Sequence, residues 1–310
     1  MRVFRDLMSL PKFKNGILTV GTFDGVHFGH KAIIRQMQEA AQKISGETIL
    51  LTFHPHPRIV LNQKGDKIKL IQTIEEKTEI LKQFGLDNLI IVPFTKSFSD
   101  MLPEDYVRNF LYNNIKPHTV IIGYDHRFGK NRSGGIETFN SLSKELDFKV
   151  EEISAKMIDD ITVSSTKIRN ALLQGEIEKA NELLGHNFSI NGKVIDGKKI
   201  GRTIGFPTAN LTVENEHKLI PANGVYAVNV KTGSSSNAYK GMANIGLRPT
   251  FNNGSKSIEV HIFEFNKDIY NQKLKVEFIS FIRNEIKFNN SEELRQQLEI
   301  DAEIAKKLLY

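Results

Sequence analysis

The sequence predicts an α/β domain built on a parallel sheet, followed by a small antiparallel all-β barrel that ends in a helix. Three observations carry this reading. Continuous apolar runs at 17–20, 48–53, 89–92 and 119–122 alternate with helical patterns, as strands covered on both faces by helices do. Beyond Gly185 the runs become short and alternating, at 188–195, 225–230, 238–245, 257–265 and 274–282, with frequent Gly and Pro, the texture of an antiparallel sheet or small barrel. From Ser291 onward Leu294, Leu298, Ala302, Ala305 and Leu308 recur on one helical face.

Taken in order, the first strand is followed by apolar residues at helical spacing from Ala32 to Ile44. Further helices are expected over 74–84 and over 103–112, where Pro103 suits a first turn. A strand at 148–153 precedes a helix beginning near Ile168, and a short amphipathic helix closes at Gly185. The domain boundary is placed there, giving 1–184 and 185–310.

The 310 residues are enough for two domains that each bury a core, and 40% hydrophobic with 25% charged residues is an ordinary globular composition. No apolar run reaches the roughly 18 to 20 residues of a bilayer span, and the N-terminus lacks a signal-peptide core, so a cytoplasmic protein without membrane contact is expected. The absence of cysteine excludes disulfides, thiolate zinc sites and thiol catalysis. A net charge of +6 is spread along the chain, which favours small anionic ligands over nucleic acid. Whether the chain is a homo-oligomer is left open.

The strongest chemical signal is Gly21-Thr-Phe23-Asp24-Gly25-Val-His27-Phe-Gly-His30, where a strand gives way to a helix. A helix N-terminus offers unpaired amides and positive dipole charge, and glycines let backbone approach a phosphate closely. His27 and His30, three apart, would share one face and could donate to the same group. The turn reads as a clamp for nucleotide phosphates, and a glycine-rich turn with two solvated histidines is the alternative. Other candidates follow later strands, where ligands collect in α/β sheets. His54-Pro-His56-Pro stiffens a turn and fixes the direction of His56. Gly123-Tyr-Asp125-His-Arg-Phe128-Gly129 is followed by Lys130-Asn131 and fails as a Walker A loop on spacing, but its side chains suit ribose, ring and phosphate contacts. In Ser164-Ser-Thr166-Lys-Ile-Arg169, hydroxyls at a helix start and a cation one turn in could grip a leaving pyrophosphate, although a plain N-cap explains the hydroxyls equally well.

A second centre lies in Gly201-Arg202-Thr-Ile-Gly-Phe-Pro207-Thr208-Ala-Asn210. If the run continues as a strand, Thr208 and Asn210 point the same way. Their oxygens are hard ligands suited to Mg²⁺ carrying ATP phosphates. In Ser257-Ile-Glu259-Val-His261, the alternation puts Ile258 and Val260 on the core face and Glu259 on the other. An ionised Glu259 could accept a proton from an attacking hydroxyl, although a solvated strand glutamate is the commoner case.

These motifs, in this order, resemble those of the bacterial bifunctional riboflavin kinase/FAD synthetase family over nearly the whole chain. Gly25-Val-His27-Phe-Gly-His30 is similar to the HxGH motif of the nucleotidyltransferases, with Phe28 where a basic residue is usual. Pro55-His56-Pro57, the 123–129 loop (with His126 where Phe is usual) and the 164–169 segment resemble the other motifs of the synthetase half. Pro207-Thr208-Ala-Asn210, Ile258-Glu259-Val-His261 and the 281–288 run containing Arg283 resemble the kinase half. The resemblance implies a Rossmann-like nucleotidyltransferase domain that adenylylates FMN to FAD, with His27, His30 and Arg169 stabilising charge on the phosphates. Gly21, Phe23, Asp24, Gly25, His56, Asp125, Phe128, Ser164 and Thr166 would contribute to binding. It implies a barrel that phosphorylates riboflavin with ATP, using Glu259 as base, Thr208 and Asn210 for Mg²⁺, and Gly201, Arg202, Pro207 and Arg283 around the substrates. The HxGH motif also serves other adenylyltransferases and cytidylyltransferases, but those would not need the barrel's motifs. FMN and FAD enter as substrate and product, not as redox cofactors.

Overall fold

Ile17, Leu18, Thr19 and Val20 are all buried along strand β2 (Ile17–Val20), as a strand between two helical layers must be. The computed structural model describes residues 1–61, 68–123, 126–153, 163–197, 200–233, 238–247 and 256–310. Strand β2 lies in a six-stranded sheet with β1 (Arg2–Phe4), β3 (Thr48–His54), β4 (Asn88–Pro93), β5 (Thr119–Gly123) and β6 (Lys149–Ile153), in the order β1-β4-β3-β2-β5-β6. Every pairing is parallel. The chain leaves β2 for β3 on one side, and β5 flanks it on the other, so the order reverses at β2. A crevice forms at such a reversal, beyond the carboxyl ends of the strands, and the Gly21–His30 turn starts there.

Alternate residues of β2 feed two cores. Leu18 and Val20 pack in a cluster with Ile49, Phe110 and Phe139, while Ile17 joins Ile34, Met37 and Leu81 on the opposite face. The second face is covered by α1 (Phe28–Lys43), which buries Ile34, Met37 and Ala41, and α2 (Ile74–Gln83), which buries Ile74, Ile80 and Leu81. Helix α2 is fixed at its start by a capping box in which Thr73 and Glu76 satisfy each other's backbone amides. The expected helix over 103–112 begins at Pro103 but becomes a π-helix over Tyr106–Tyr112. Periodicity could not reveal this, because Tyr106, Val107, Phe110 and Leu111 face inward as an α-helix would also have them. Helix α3 (Ile136–Leu146) buries Phe139 and Leu142. Strand β1 is three residues long, too short to show a pattern.

The second architecture is a closed barrel of β7 (Ser189–Ile195), β8 (Ala209–Thr212), β9 (Gly224–Thr232), β10 (Ala238–Leu247), β11 (Lys256–Ile262) and β12 (Lys273–Arg283). All its pairings are antiparallel, in the order β10-β11-β8-β7-β12-β9. The expected alternation holds: Ile258, Val260 and Ile262 are buried while Glu259 and His261 are only half-buried.

The chain divides into two compact units, Met1–Ile68 with Thr73–Ser164, and Lys69–Gln72 with Ser165–Tyr310. This division falls before α4 (Ser165–Gln174) and α5 (Ile177–Leu184), not at Gly185 as the change of texture suggested. Both helices pack with the second unit: Leu172 of α4 accepts from the Ala222 amide at 3.0 Å, and Asn181 of α5 donates to the Phe278 carbonyl at 2.8 Å and accepts from the Phe188 amide at 2.7 Å. Residues 69–72 also pair with the second unit, through Leu70 N–H to the His217 carbonyl at 2.7 Å and Leu219 N–H to the Leu70 carbonyl at 2.8 Å. The final helix, α6 (Ser291–Leu309), buries Asp301 and Ala305 and leaves Leu308 45% exposed. Leu298, Ala302 and Ala305 of the expected face pack inward, Asp301 joins them, and Leu309 takes the inward place expected of Leu308.

Candidate active sites

In the first unit, the turn after β2 bends sharply. Gly21 N–H still donates to the Leu51 carbonyl at 3.0 Å, and then Phe23, Gly25 and Val26 all take positive φ, of 47, 94 and 40°. A β-branched residue such as Val26 adopts that region only under constraint. Val26 and Phe23 are both buried in the α1–α2 core, which supplies it. The turn delivers His27 as the extended N-cap of α1, and its side chain makes no capping hydrogen bond. The uncapped amides at the head of α1 therefore remain available to an anion.

His27 and His30 stack, with ring centroids 3.8 Å apart and planes 17° from parallel, and Phe23 covers the other face of His30 at 4.4 Å. The sequence placed the two imidazoles on one face, and the structure brings them into contact. Nδ1 of each is buried without a hydrogen-bond partner among the described residues, a cost that a ligand would relieve. Burial pushes His27 down to about 4, against the opposing pull of Asp24. His30 is pushed well below the ordinary range, first by burial and then by the neighbouring His27 and Lys77. Both rings are neutral at pH 7, and each then carries one N–H donor and one acceptor. Asp24 is 3% exposed.

The remaining expected residues of this half are placed less uniformly. His56 is buried and caps a short helix (Pro57–Val60), its Nδ1 accepting from Arg58 N–H at 3.1 Å. Phe128 is 8% exposed. It pairs with Gly134 through two backbone hydrogen bonds and packs against Tyr106 and Phe139, with centroids at 4.7 and 5.0 Å. Asp125 lies outside the described residues. Ser164 and Thr166 are exposed on either side of the division between the units. Arg169 belongs to the second unit, not to that of His27 and His30, and its Nε donates to the Lys69 carbonyl at 2.9 Å.

In the barrel, β8 and β11 pair so that Asn210 lies directly opposite Glu259, and β10 places Asn244 on the other side of Glu259. Cross-strand partners share a face, so three polar side chains form a row. Thr208 Oγ1 donates to Glu259 Oε2 at 3.4 Å. Sequence reasoning supplied Thr208, Asn210 and Glu259, but Asn244 as their neighbour depended on register, which a single sequence does not disclose. Gly201 and Arg202 lie in one helical turn (Ile200–Thr203), with Arg202 exposed. Phe206 N–H returns to the Gly201 carbonyl at 2.8 Å, and a Cβ at Gly201 would come 2.1 Å from the Phe206 oxygen. The loop is closed again by His261, whose Nδ1–H donates to the Pro207 carbonyl at 2.8 Å.

Arg283, expected beside the substrates, is paired with the C-terminal helix. Its Nε and Nη2 grip Asp301 at 2.8 and 2.6 Å, and Asp301 is fully buried. The guanidinium holds α6 against β12.

Comparison with known proteins agrees with both halves. Residues 10–167 match the family model described as FAD synthetase, and residues 184–309 match that described as riboflavin kinase. A bifunctional riboflavin kinase/FMN adenylyltransferase of Listeria monocytogenes is 40% identical, covering 93% of this chain and 90% of the relative. One of Buchnera aphidicola subsp. Schizaphis graminum is 37% identical, covering 99% and 98%. A crystal structure from Streptococcus pneumoniae, named a macrolide-efflux protein, superposes with a TM-score of 0.86 at 29% identity over 98% of each chain. Among the described residues of this chain, no helix is long and apolar enough to cross a membrane. With each half matched by its own family and relatives aligned along nearly the full length, this chain belongs to the bifunctional riboflavin kinase/FMN adenylyltransferase family.

Proposed function

We propose that the Gly21–His30 turn carries the adenylyl transfer of this family, and that Thr208, Asn210 and Glu259 carry the phosphoryl transfer. At the barrel site, Glu259 accepts the proton of the riboflavin 5′-hydroxyl as its oxygen bonds to the γ-phosphorus of ATP. The bond from that phosphorus to the bridging oxygen breaks, and ADP leaves. What supports this reading is the 3.4 Å contact of Thr208 Oγ1 with the Glu259 carboxylate, with Asn210 opposite it in register. No group of three His, Cys, Asp or Glu residues among the described residues could cage a metal ion. A hydroxyl and an amide oxygen do fit Mg²⁺, which keeps several waters and binds through one or two protein groups plus phosphates. Thr208 and Asn210 would hold it, and when bound it neutralises phosphate charge.

At the turn, a phosphate oxygen of FMN attacks the α-phosphorus of ATP, the bond to the β-phosphate side breaks, and pyrophosphate departs with the electron pair. The substrate brings its own nucleophile, so the residues' work is orientation and charge stabilisation. Neutral His27 and His30 donate N–H bonds to phosphate oxygens beside the amides that open α1. The test is to incubate the full chain with riboflavin, ATP and Mg²⁺ and separate the flavins. FMN followed by FAD is expected. Unchanged riboflavin would refute the barrel assignment, and failure to convert supplied FMN would refute the turn.

A further inference from the structure

Lys77 has no part in the chemistry above, yet it is buried beneath it. It lies in α2, where the capping box of Thr73 and Glu76 fixes the helix start, and its side chain is only 5% exposed. Its Nζ donates to the Thr22 carbonyl at 2.5 Å, and Thr52 Oγ1 reaches the same oxygen at 3.3 Å. Thr22 immediately precedes Phe23, the first of the residues forced to positive φ and the ring that stacks on His30. The ammonium also interacts with Asp24 in the turn, His30 in α1 and His54 at the end of β3. A buried lysine would shed its proton unless something held it. Burial pushes Lys77 down to about 8 with Asp24 opposing, so it still carries most of its charge at pH 7.

We infer that Lys77 is a positioning residue for adenylyl transfer: its Nζ anchors the Thr22 carbonyl and so holds Phe23 against His30. The inference rests on the turn being the adenylyl-transfer site. Two consequences are separable. Losing the anchor loosens the Phe23–His30–His27 stack and costs turnover more than substrate affinity, because the groups facing the transition state lose their alignment. Losing the cation raises the pH at which His30 protonates.

The experiment uses full-length K77M and K77R. FMN adenylylation and riboflavin phosphorylation are assayed on the same preparations, and the imidazoles are followed by nitrogen NMR against pH, with His30 assigned from an H30Q spectrum. For K77M we expect kcat for FMN adenylylation to fall on the order of 10- to 100-fold with KM for ATP changed less than threefold. Riboflavin phosphorylation should stay within twofold, and the His30 titration should move towards 6.5. K77R, which keeps the charge, should hold the His30 titration low. Adenylylation within twofold of the unsubstituted chain, or an unmoved His30 titration in K77M, would overturn the inference. If K77M loses both activities through misfolding, K77Q is assayed in its place: a selective fall in kcat for FMN adenylylation supports the inference, and adenylylation within twofold of the unsubstituted chain overturns it. Absence of FAD formation by the unsubstituted protein would instead count against the adenylyl-transfer reading itself.

Discussion

Arg283 and Asp301 form a two-pronged ion pair that ties the last barrel strand to the C-terminal helix, with Gln297 Nε2 adding a third bond to the same carboxylate at 3.0 Å. Asp301 is fully buried, and removing one member of such a pair strands the other without compensation. D301A is expected to destabilise the barrel by about 3–5 kcal/mol, read as a lower thermal midpoint. R283K should lose part of that amount because an ammonium cannot reproduce the fork. Unchanged midpoints would show that the pair does not hold the helix to the barrel.

Glu259 faces Asn210 in register and accepts from Thr208. Replacing it by Gln keeps the shape and removes the base. Phosphorylation of riboflavin in E259Q should fall about 10²- to 10⁴-fold, while conversion of supplied FMN to FAD continues. Chromatography of the flavins from the two separate reactions distinguishes a lost base from a collapsed fold.

The stacked imidazoles give the reciprocal pattern. H27A or H30A should stop the reaction at FMN, with adenylylation reduced on the order of 10²-fold or more and riboflavin phosphorylation retained. Accumulated FMN in a mixture started from riboflavin is the signature to measure. Equal loss of both activities would mean that the stack serves stability alone.

Burial of the same rings has a consequence for stability. His27 titrates at about 4 in the folded chain and near its ordinary 6.5 when unfolded, and His30 is shifted in the same direction. Between these limits the unfolded chain binds more protons, so stability falls as pH drops from 6.5 towards 4 and is unaffected by these groups above 6.5. The slope is on the order of 1.4 kcal/mol per pH unit for each fully titrating ring. Urea midpoints between pH 7 and 5 should therefore drop, and H27Q should flatten part of that drop. An identical slope in H27Q would assign the acid sensitivity to other groups.

Much of this molecule was legible from residue order. Buried parallel strands announce themselves as unbroken apolar runs, barrel strands as alternation, and the strand-to-helix turn by glycines around His27 and His30, because each depends on neighbours within a few positions. The row of Asn210, Glu259 and Asn244 was half visible: the alternation of β11 puts Glu259 outward, but only strand pairing says which residues flank it. Phe128 read as a ring contact from its aromatic side chain between glycines, and its bridge to Gly134 and packing on Tyr106 and Phe139 depend on residues outside that loop. Local pattern, then, determined the two architectures, most of their strands and the histidine turn, but not β1, α3 or the π-helix. Tertiary structure alone decided that α4 and α5 pack with the barrel, that Arg283 pairs with Asp301 and that Lys77 lies under the turn, since each depends on contacts between residues far apart in the chain.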